Sequence, residues 1–280
     1  MTKEEIQQQI KTAVERVRAE NPLAPSITNT VTINLVANAQ LAAGGSAAMV
    51  YLPDEGEGMA AAGGAMYINM GTLQPVYEET LPRAAKALHE SGTPWVLDPV
   101  GLGIGGLRTQ LIAGFKAYKP SIIRGNASEI IALARLWGLL DEAGKKGAPR
   151  GVDSVDAVSA ACPAAVALAR WTGGAVAVSG QTDLVTDGRY LAYSTGGSSL
   201  FTKITGAGCS LGGVAAVYAA VAEPFVAALA ATALYNLAGS RAAAKAQAPG
   251  HFQVQFLDEL YLAASYDVAA NPLTLEEVGQ

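Results

Sequence analysis

Thr202-Lys-Ile-Thr-Gly-Ala-Gly-Cys209 leads without a break into an apolar run, Leu211 to Val221. A β-branched, hydroxyl-rich segment that turns through two glycines and then becomes apolar predicts a helix opening at a glycine-rich turn. The first backbone N–H groups of a helix have no partner within it, and the peptide dipoles add about half a positive charge there. Gly206 and Gly208 let the backbone approach an anion closely, because neither carries a Cβ. A phosphate, or a phosphoryl group in transfer, suits such a turn. Gly-Ala-Gly also opens ordinary core helices, so the rest of the chain decides between the two.

Upstream of that turn, short apolar strands alternate with helices. Residues 2–20 read as an amphipathic helix, with Thr2 and Glu5 as a capping box and Ile6, Ile10, Val14 and Val17 on one face. Pro22 and Pro25 end it. An extended piece at Ser26–Asn29 precedes a helix to Ala43, which Gly44-Gly45 stops. Strands follow at 47–51, 65–70, 94–99, 121–124 and 175–178. Helices are expected at about 73–91, 107–117, 126–137 and 152–171, the last with a kink or restart at Pro163. Asp54-Glu-Gly-Glu-Gly58 reads as an acidic turn, 139–150 as a loop, and 184–193 as a hairpin around Asp187-Gly188. Two helices, 223–246 and 252–267, follow the one after the glycine turn. This alternation predicts an α/β fold with a mainly parallel central sheet covered by helices on both faces. No linker or composition shift divides the chain, so 1–280 reads as a single domain.

Composition excludes several classes. Half of the 280 residues are hydrophobic, enough for a sizeable core, and the net charge is −5 with both signs interspersed. There is no basic stripe for nucleic acid. Polar residues interrupt every low-charge run before membrane length. Met-Thr-Lys-Glu-Glu at the start resembles neither a signal nor a transit peptide, and Cys162 and Cys209 make no disulfide framework. A cytoplasmic protein with reduced thiols is the expectation. His89 and His251 have no partners at ligand spacing, so no zinc site is expected.

Ligands of such sheets bind beyond the carboxyl ends of the strands. Asn69, Asp98, Arg124 and Ser179 each fall at or just past a strand end, which brings four polar groups to the edge where the Gly206–Gly208 turn belongs. No Walker A motif occurs, and Gly101-Leu-Gly-Ile-Gly-Gly106 is only a partial dinucleotide match with no helix start built into it. It reads better as a loop over the site. Asn126 and Glu129 stand three apart at a helix start, so both can face one way. An amide and a carboxylate there suit hydrated Mg²⁺ beside phosphates. Taken alone, the same pair reads more readily as an N-cap with its box partner.

Thr205-Gly-Ala-Gly-Cys209, Asn126-x-x-Glu129 and Asp98-Pro-Val100 together resemble the ribokinase-like fold, and within it the hydroxyethylthiazole kinases. Ile27-Thr-Asn29, Asn34, Ala37-Asn38, Met49, Ile68-Asn-x-Gly-Thr-Leu73, Trp95–Val100, Arg124-Gly-Asn126, Gly151-Val-Asp-Ser154 and Ala177-Val-Ser-Gly180 match the same pattern in order. Cysteine at 209, where most ribokinase-like enzymes carry aspartate, is the most specific mark. The resemblance implies a three-layer ribokinase-like fold and ATP-dependent phosphorylation of the alcohol of 4-methyl-5-(2-hydroxyethyl)thiazole in thiamine salvage. It further implies a homotrimer with sites at subunit interfaces. Gly206, Ala207 and Gly208 would form the anion hole, with Gly206 also touching substrate. Arg124, Asn126 and Ser179 would contact ATP, Asp98 and Glu129 would hold Mg²⁺, and Asn29 and Met49 would hold the thiazole. Cys209, at a helix N-terminus, is expected to have a lowered thiol pKa and to take the alcohol proton, or else only to fill the turn. The readings left beside this one are a kinase for hydroxymethylpyrimidine or pyridoxal, a nucleotide-binding sensor without turnover, and an ATP-dependent repair dehydratase of the same fold.

Overall fold

The computed structural model describes residues 1–140 and 154–279. The chain begins with α1 (Lys3–Glu20), capped as the Thr2/Glu5 spacing predicts. Next come β1 (Leu23–Ile27), α2 (Ile33–Ala42), β2 (Ser46–Met49), α3 (Pro53–Ala62) and β3 (Met66–Asn69). The middle of the chain adds α4 (Tyr77–Ser91), β4 (Trp95–Asp98), α5 (Gly106–Gly114), β5 (Ile122–Asn126), α6 (Ala127–Leu136) and α7 (Ser154–Thr172). It closes with β6 (Ala175–Ser179), β7 (Thr182–Thr186), β8 (Tyr190–Thr195), α8 (Ala207–Ala219), α9 (Pro224–Lys245), α10 (Pro249–Leu262), α11 (Ser265–Ala269) and β9 (Leu273–Glu277).

Among the described residues the strands form one sheet in the order β2-β1-β3-β4-β5-β6-β7-β8-β9. From β2 to β6 all pairs are parallel, and β7 to β9 extend the sheet antiparallel. Alternation along the strands fills two separate cores. Tyr67, Val96, Ile122 and Ala177 face α1, α2, α8, α9 and α10, while Met66, Ile68, Leu97, Ile123 and Val176 face α4, α6 and α7. Three layers result, with the inner parallel strands β1, β3, β4, β5 and β6 buried along most of their length and the edge strand β2 only half-buried.

Several expectations need correction. Asp54–Gly58 is not a turn but lies within α3, which Pro53 starts at its first position and Asp54 and Glu55 favour in its first turn. Its Gly56 is buried, and a Cβ there would stand 3.3 Å from Thr80 Cγ2 and 3.4 Å from Ala84 Cβ, so the glycine serves close packing on α4. The first strand starts earlier than read, taking in Pro25. The helix expected at 252–267 is two helices, separated at Ala263 and Ala264. α7 runs through Pro163 without a restart. Residues 141–150 of the expected loop, and Gly151-Val-Asp153 of the matched pattern, lie outside the described residues.

Candidate active site

The strand order turns back between β1 and β3, and in open parallel sheets the crevice at such a point takes the ligand. Asn69, Asp98, Arg124 and Ser179 each stand two residues beyond a side chain of the first core, so all four lie on the face that α8 covers. Register brings them side by side. Asn69 pairs with Asp98 across β3 and β4, and Asn126 with Ser179 across β5 and β6.

Asp98 has no exposed surface. Its Oδ2 accepts hydrogen bonds from Tyr67 Oη at 3.0 Å, Asn69 Nδ2 at 3.1 Å and Arg124 Nη1 at 3.3 Å. Its Oδ1 has no partner. Burial drives the Asp98 carboxyl up to about 6, against the lowering pull of Arg124, and the charge of Glu129 adds to the rise. Burial also works against the Arg124 cation, but Asp98 and Glu129 hold its pKa above the ordinary arginine value. Arg124 Nη2 donates to Ser179 Oγ at 2.9 Å, so the guanidinium bridges β4 and β6.

The glycine turn closes over this pair. α8 starts at Ala207 with Gly206 as its cap at φ 92°. A Cβ on Gly208 would stand 2.7 Å from Arg124 Nη1, so only glycine lets the first turn of the helix rest on the guanidinium. Cys209 follows at the third helical position. Its Sγ accepts from Asn29 Nδ2 at 3.5 Å, and the same nitrogen donates to Asn69 Oδ1 at 3.1 Å. The expected lowering of the thiol pKa is not found. Burial raises it first and Asp98 second, outweighing Arg124, Thr32 and Asn29. The side chain lies mostly buried beside Asp98, where desolvation and that charge prevail over the groups that would lower the pKa.

Asn126 and Glu129 build the capping box: Asn126 Oδ1 accepts from the Glu129 N–H at 3.0 Å, and Glu129 Oε2 from the Asn126 N–H at 2.9 Å. Glu129 is nonetheless close enough to act on Asp98 and Arg124 by charge. Metal binding and capping are therefore compatible in one residue. No group of three His, Cys, Asp or Glu that could hold a metal occurs among the described residues. Two carboxylates, one with an unpartnered buried oxygen, do fit Mg²⁺, which takes few protein ligands and completes its shell with water and phosphate. Met49 ends β2, one strand outward from β1, and packs half-buried against the first core. The hydrogen-bonded cluster does not include it.

Two residues escaped the sequence reading. Tyr67 sits two positions before Asn69 and so shares its face, a signal that was available. Arg108 lies in α5, where Nε donates to the Met70 carbonyl and Nη1 to the Ile104 carbonyl, both at 2.8 Å. It ties Gly101–Gly106 to the end of β3. That loop does open a helix, contrary to expectation, since Gly105 caps α5.

A model of the hydroxyethylthiazole kinase family matches residues 14–265. A hydroxyethylthiazole kinase of Bifidobacterium adolescentis is 54% identical over 273 residues, covering 94% of this chain and 93% of the relative. A solved hydroxyethylthiazole kinase from Pyrococcus horikoshii superposes with a TM-score of 0.83 at 32% identity, covering 97% of this chain and all of that one. A ribokinase-like superfamily protein of Enterococcus faecalis, 12% identical, has a TM-score of 0.60 over 93% of this chain and 94% of its own, a likeness of fold alone.

Proposed function

The chain belongs to the hydroxyethylthiazole kinase family, and from that premise we propose how its residues divide the work. The reaction moves a phosphoryl group from ATP to the hydroxyl of 4-methyl-5-(2-hydroxyethyl)thiazole, a step of thiamine salvage. Its transition state spreads negative charge over peripheral oxygens and asks mainly for positioning and charge stabilisation. In this reading the N–H groups of Gly206, Ala207 and Gly208 receive that charge, and Gly206 also lines the substrate. Arg124, Asn126 and Ser179 hold the ATP phosphates. Asp98 and Glu129 hold Mg²⁺, which supplies charge neutralisation on the phosphates when bound. Asn29 and Met49 position the thiazole.

Cys209 takes the proton of the alcohol. Its raised pKa leaves little thiolate at neutral pH. A loose transition state lowers the demand on a base, because the alcohol becomes acidic only as the new bond forms. Slow turnover is the consequence. One observation carries the reading: a fully buried Asp98, one oxygen unpartnered, ion-paired to the guanidinium on which the first turn of α8 rests. The chain is further proposed to act as one domain, in the cytoplasm, as a homotrimer with sites at subunit interfaces. Half-buried residues along the whole of the edge strand β2 support an interface there. No helix among the described residues is long and apolar enough to cross a membrane.

A screen of small heteroaromatic alcohols with Mg-ATP tests the assignment. Transfer to the thiazole alcohol, with hydroxymethylpyrimidine and pyridoxal left unphosphorylated, is expected. Preference for either of the latter would overturn it.

A further inference from the structure

The roles assigned above use Asp98 but not the tyrosine beside it. We propose that Tyr67 is a positioning residue that fixes the Asp98 carboxylate against α8, so that Oδ1 is the oxygen left to a metal. The proposal rests on the reading of Asp98 as a Mg²⁺ carboxylate.

Three donors converge on Oδ2, from Tyr67, Asn69 and Arg124, and none reaches Oδ1. An ionised carboxylate oxygen offers about two lone-pair sites, so Oδ2 is saturated while Oδ1 keeps its full capacity. The Tyr67 hydroxyl is itself held, because it accepts from Asn69 Nδ2 at 2.8 Å while donating to Asp98. Asn69 in turn is fixed through Oδ1, which accepts from Asn29 Nδ2 and from the Gly71 N–H at 2.9 Å. Rotation of the carboxylate would break several bonds at once.

The ring contributes as well. A Cβ on Gly212 would stand 2.4 Å from Tyr67 Cε2 and 2.8 Å from its hydroxyl oxygen, so the backbone of α8 lies directly against the phenol end. Gly212 is four residues, about one turn, beyond Gly208 in the same helix. Tyr67 therefore stands between the metal carboxylate and the helix whose N-terminus forms the anion hole. It sets the spacing of two parts that must engage the same phosphates. Packing alone does not ask this of a buried tyrosine here: Tyr218, also fully buried, leaves its hydroxyl without a partner.

Tyr67→Phe removes one oxygen and leaves Asn69 and Arg124 on Oδ2. Loss of an outer hydrogen bond to a metal carboxylate typically weakens metal binding, and the half-saturating Mg²⁺ concentration for kinase activity should rise about tenfold. The KM for ATP at saturating Mg²⁺ and the thermal midpoint of the free protein should hold. Calorimetric titration of Mn²⁺ into the enzyme with ADP should show the same weakening without turnover. Rescue should fail at normal Mg²⁺ and succeed at high Mg²⁺. An unchanged Mg²⁺ curve and Mn²⁺ affinity in Tyr67→Phe overturns the proposal, as does a lowered thermal midpoint with unchanged metal affinity. If that variant does not fold, Gly212→Ala displaces the ring with Tyr67 kept, and normal Mn²⁺ affinity there overturns it equally. Asp98→Asn separates the two claims. An unchanged Mg²⁺ curve and Mn²⁺ affinity in that variant sink the reading of Asp98 itself, whereas weakened metal binding there beside a normal Tyr67→Phe sinks only the role of the tyrosine.

Discussion

The family resemblance puts Cys209 where most ribokinase-like enzymes carry aspartate, and its surroundings make two predictions if it is the base proposed above. Burial and the charge of Asp98 hold the thiol above its ordinary pKa, so the neutral form dominates near neutrality and the thiolate grows as pH rises. The kcat of the protein should therefore increase from neutral into alkaline pH, measured in single-turnover phosphorylation. In Cys209→Asp the base is ionised across that range, so activity should be retained or raised and the alkaline increase should vanish. A folded Cys209→Asp protein with no activity would count against the base role. Gly208 is the second test at this scale. Its missing Cβ makes room for Arg124 Nη1, and Gly208→Ala would push the guanidinium off the first turn of α8. Loss of kcat on the order of a hundredfold is expected, the usual cost of disturbing an oxyanion donor. The sequence pointed to Cys209 and the glycines because their spacing is local. It could not foresee the raised thiol, because that depends on Asp98 and Arg124, which meet it only in the fold.

The elements explain which expectations held and which failed. Strands 66–69, 95–98, 122–126 and 175–179 were legible because each is a short apolar run buried on both faces and bounded by turn residues. β1 was read late because Pro25 argues against a central strand, and α3 was lost because Gly56 and Gly58 look like punctuation. In α3 Gly56 instead permits close approach of α4, a reason that no single segment contains. β9 went unread because its exposed Thr274, Glu276 and Glu277 give it the look of a polar tail, and it forms only as a partner for β8. The start of α6 offers the sharpest test at this scale, since its Asn126/Glu129 pair reads both as a cap and as phosphate and metal ligands. Glutamine also completes a capping box, so Glu129→Gln should keep the thermal midpoint while removing the charge. Loss of Mg²⁺-dependent activity at unchanged stability separates the two roles; unchanged kinetics would leave only the cap. Asn126→Ala should by contrast lower stability by about 1 kcal/mol in denaturant unfolding. Arg108 belongs here too. Arg108→Ala frees the Gly101–Gly106 loop from Met70 and should raise the KM for ATP more than it lowers the thermal midpoint.

At the scale of the whole molecule the sheet has two unlike edges. β9 at one end is short and carries Glu276 and Glu277, charges of the kind that discourage further pairing. β2 at the other end is half-buried at every residue, and Val31, Leu41 and Leu52, on the segments before and after it, are exposed at 65%, 53% and 49%. Exposed apolar side chains on the segments flanking an edge strand fit a surface that another chain would cover. β2 also ends in Met49, which the hydrogen-bonded cluster leaves out although the family resemblance gives it the thiazole. Both facts have one explanation if the substrate pocket is completed across a subunit boundary at this edge. Composition could not disclose this, because which apolar residues stay exposed is decided only once the chain has folded. Light scattering should then return the mass of three chains. Leu41→Arg should shift the population to single chains, with the thermal midpoint of the monomer little changed and thiazole phosphorylation lost. ATP hydrolysis without the alcohol should survive in that variant, since Asp98, Arg124 and the α8 turn all come from one chain. A wild-type protein that scatters as a monomer yet phosphorylates the thiazole at full rate would remove the need for a partner, and with it this account of Met49.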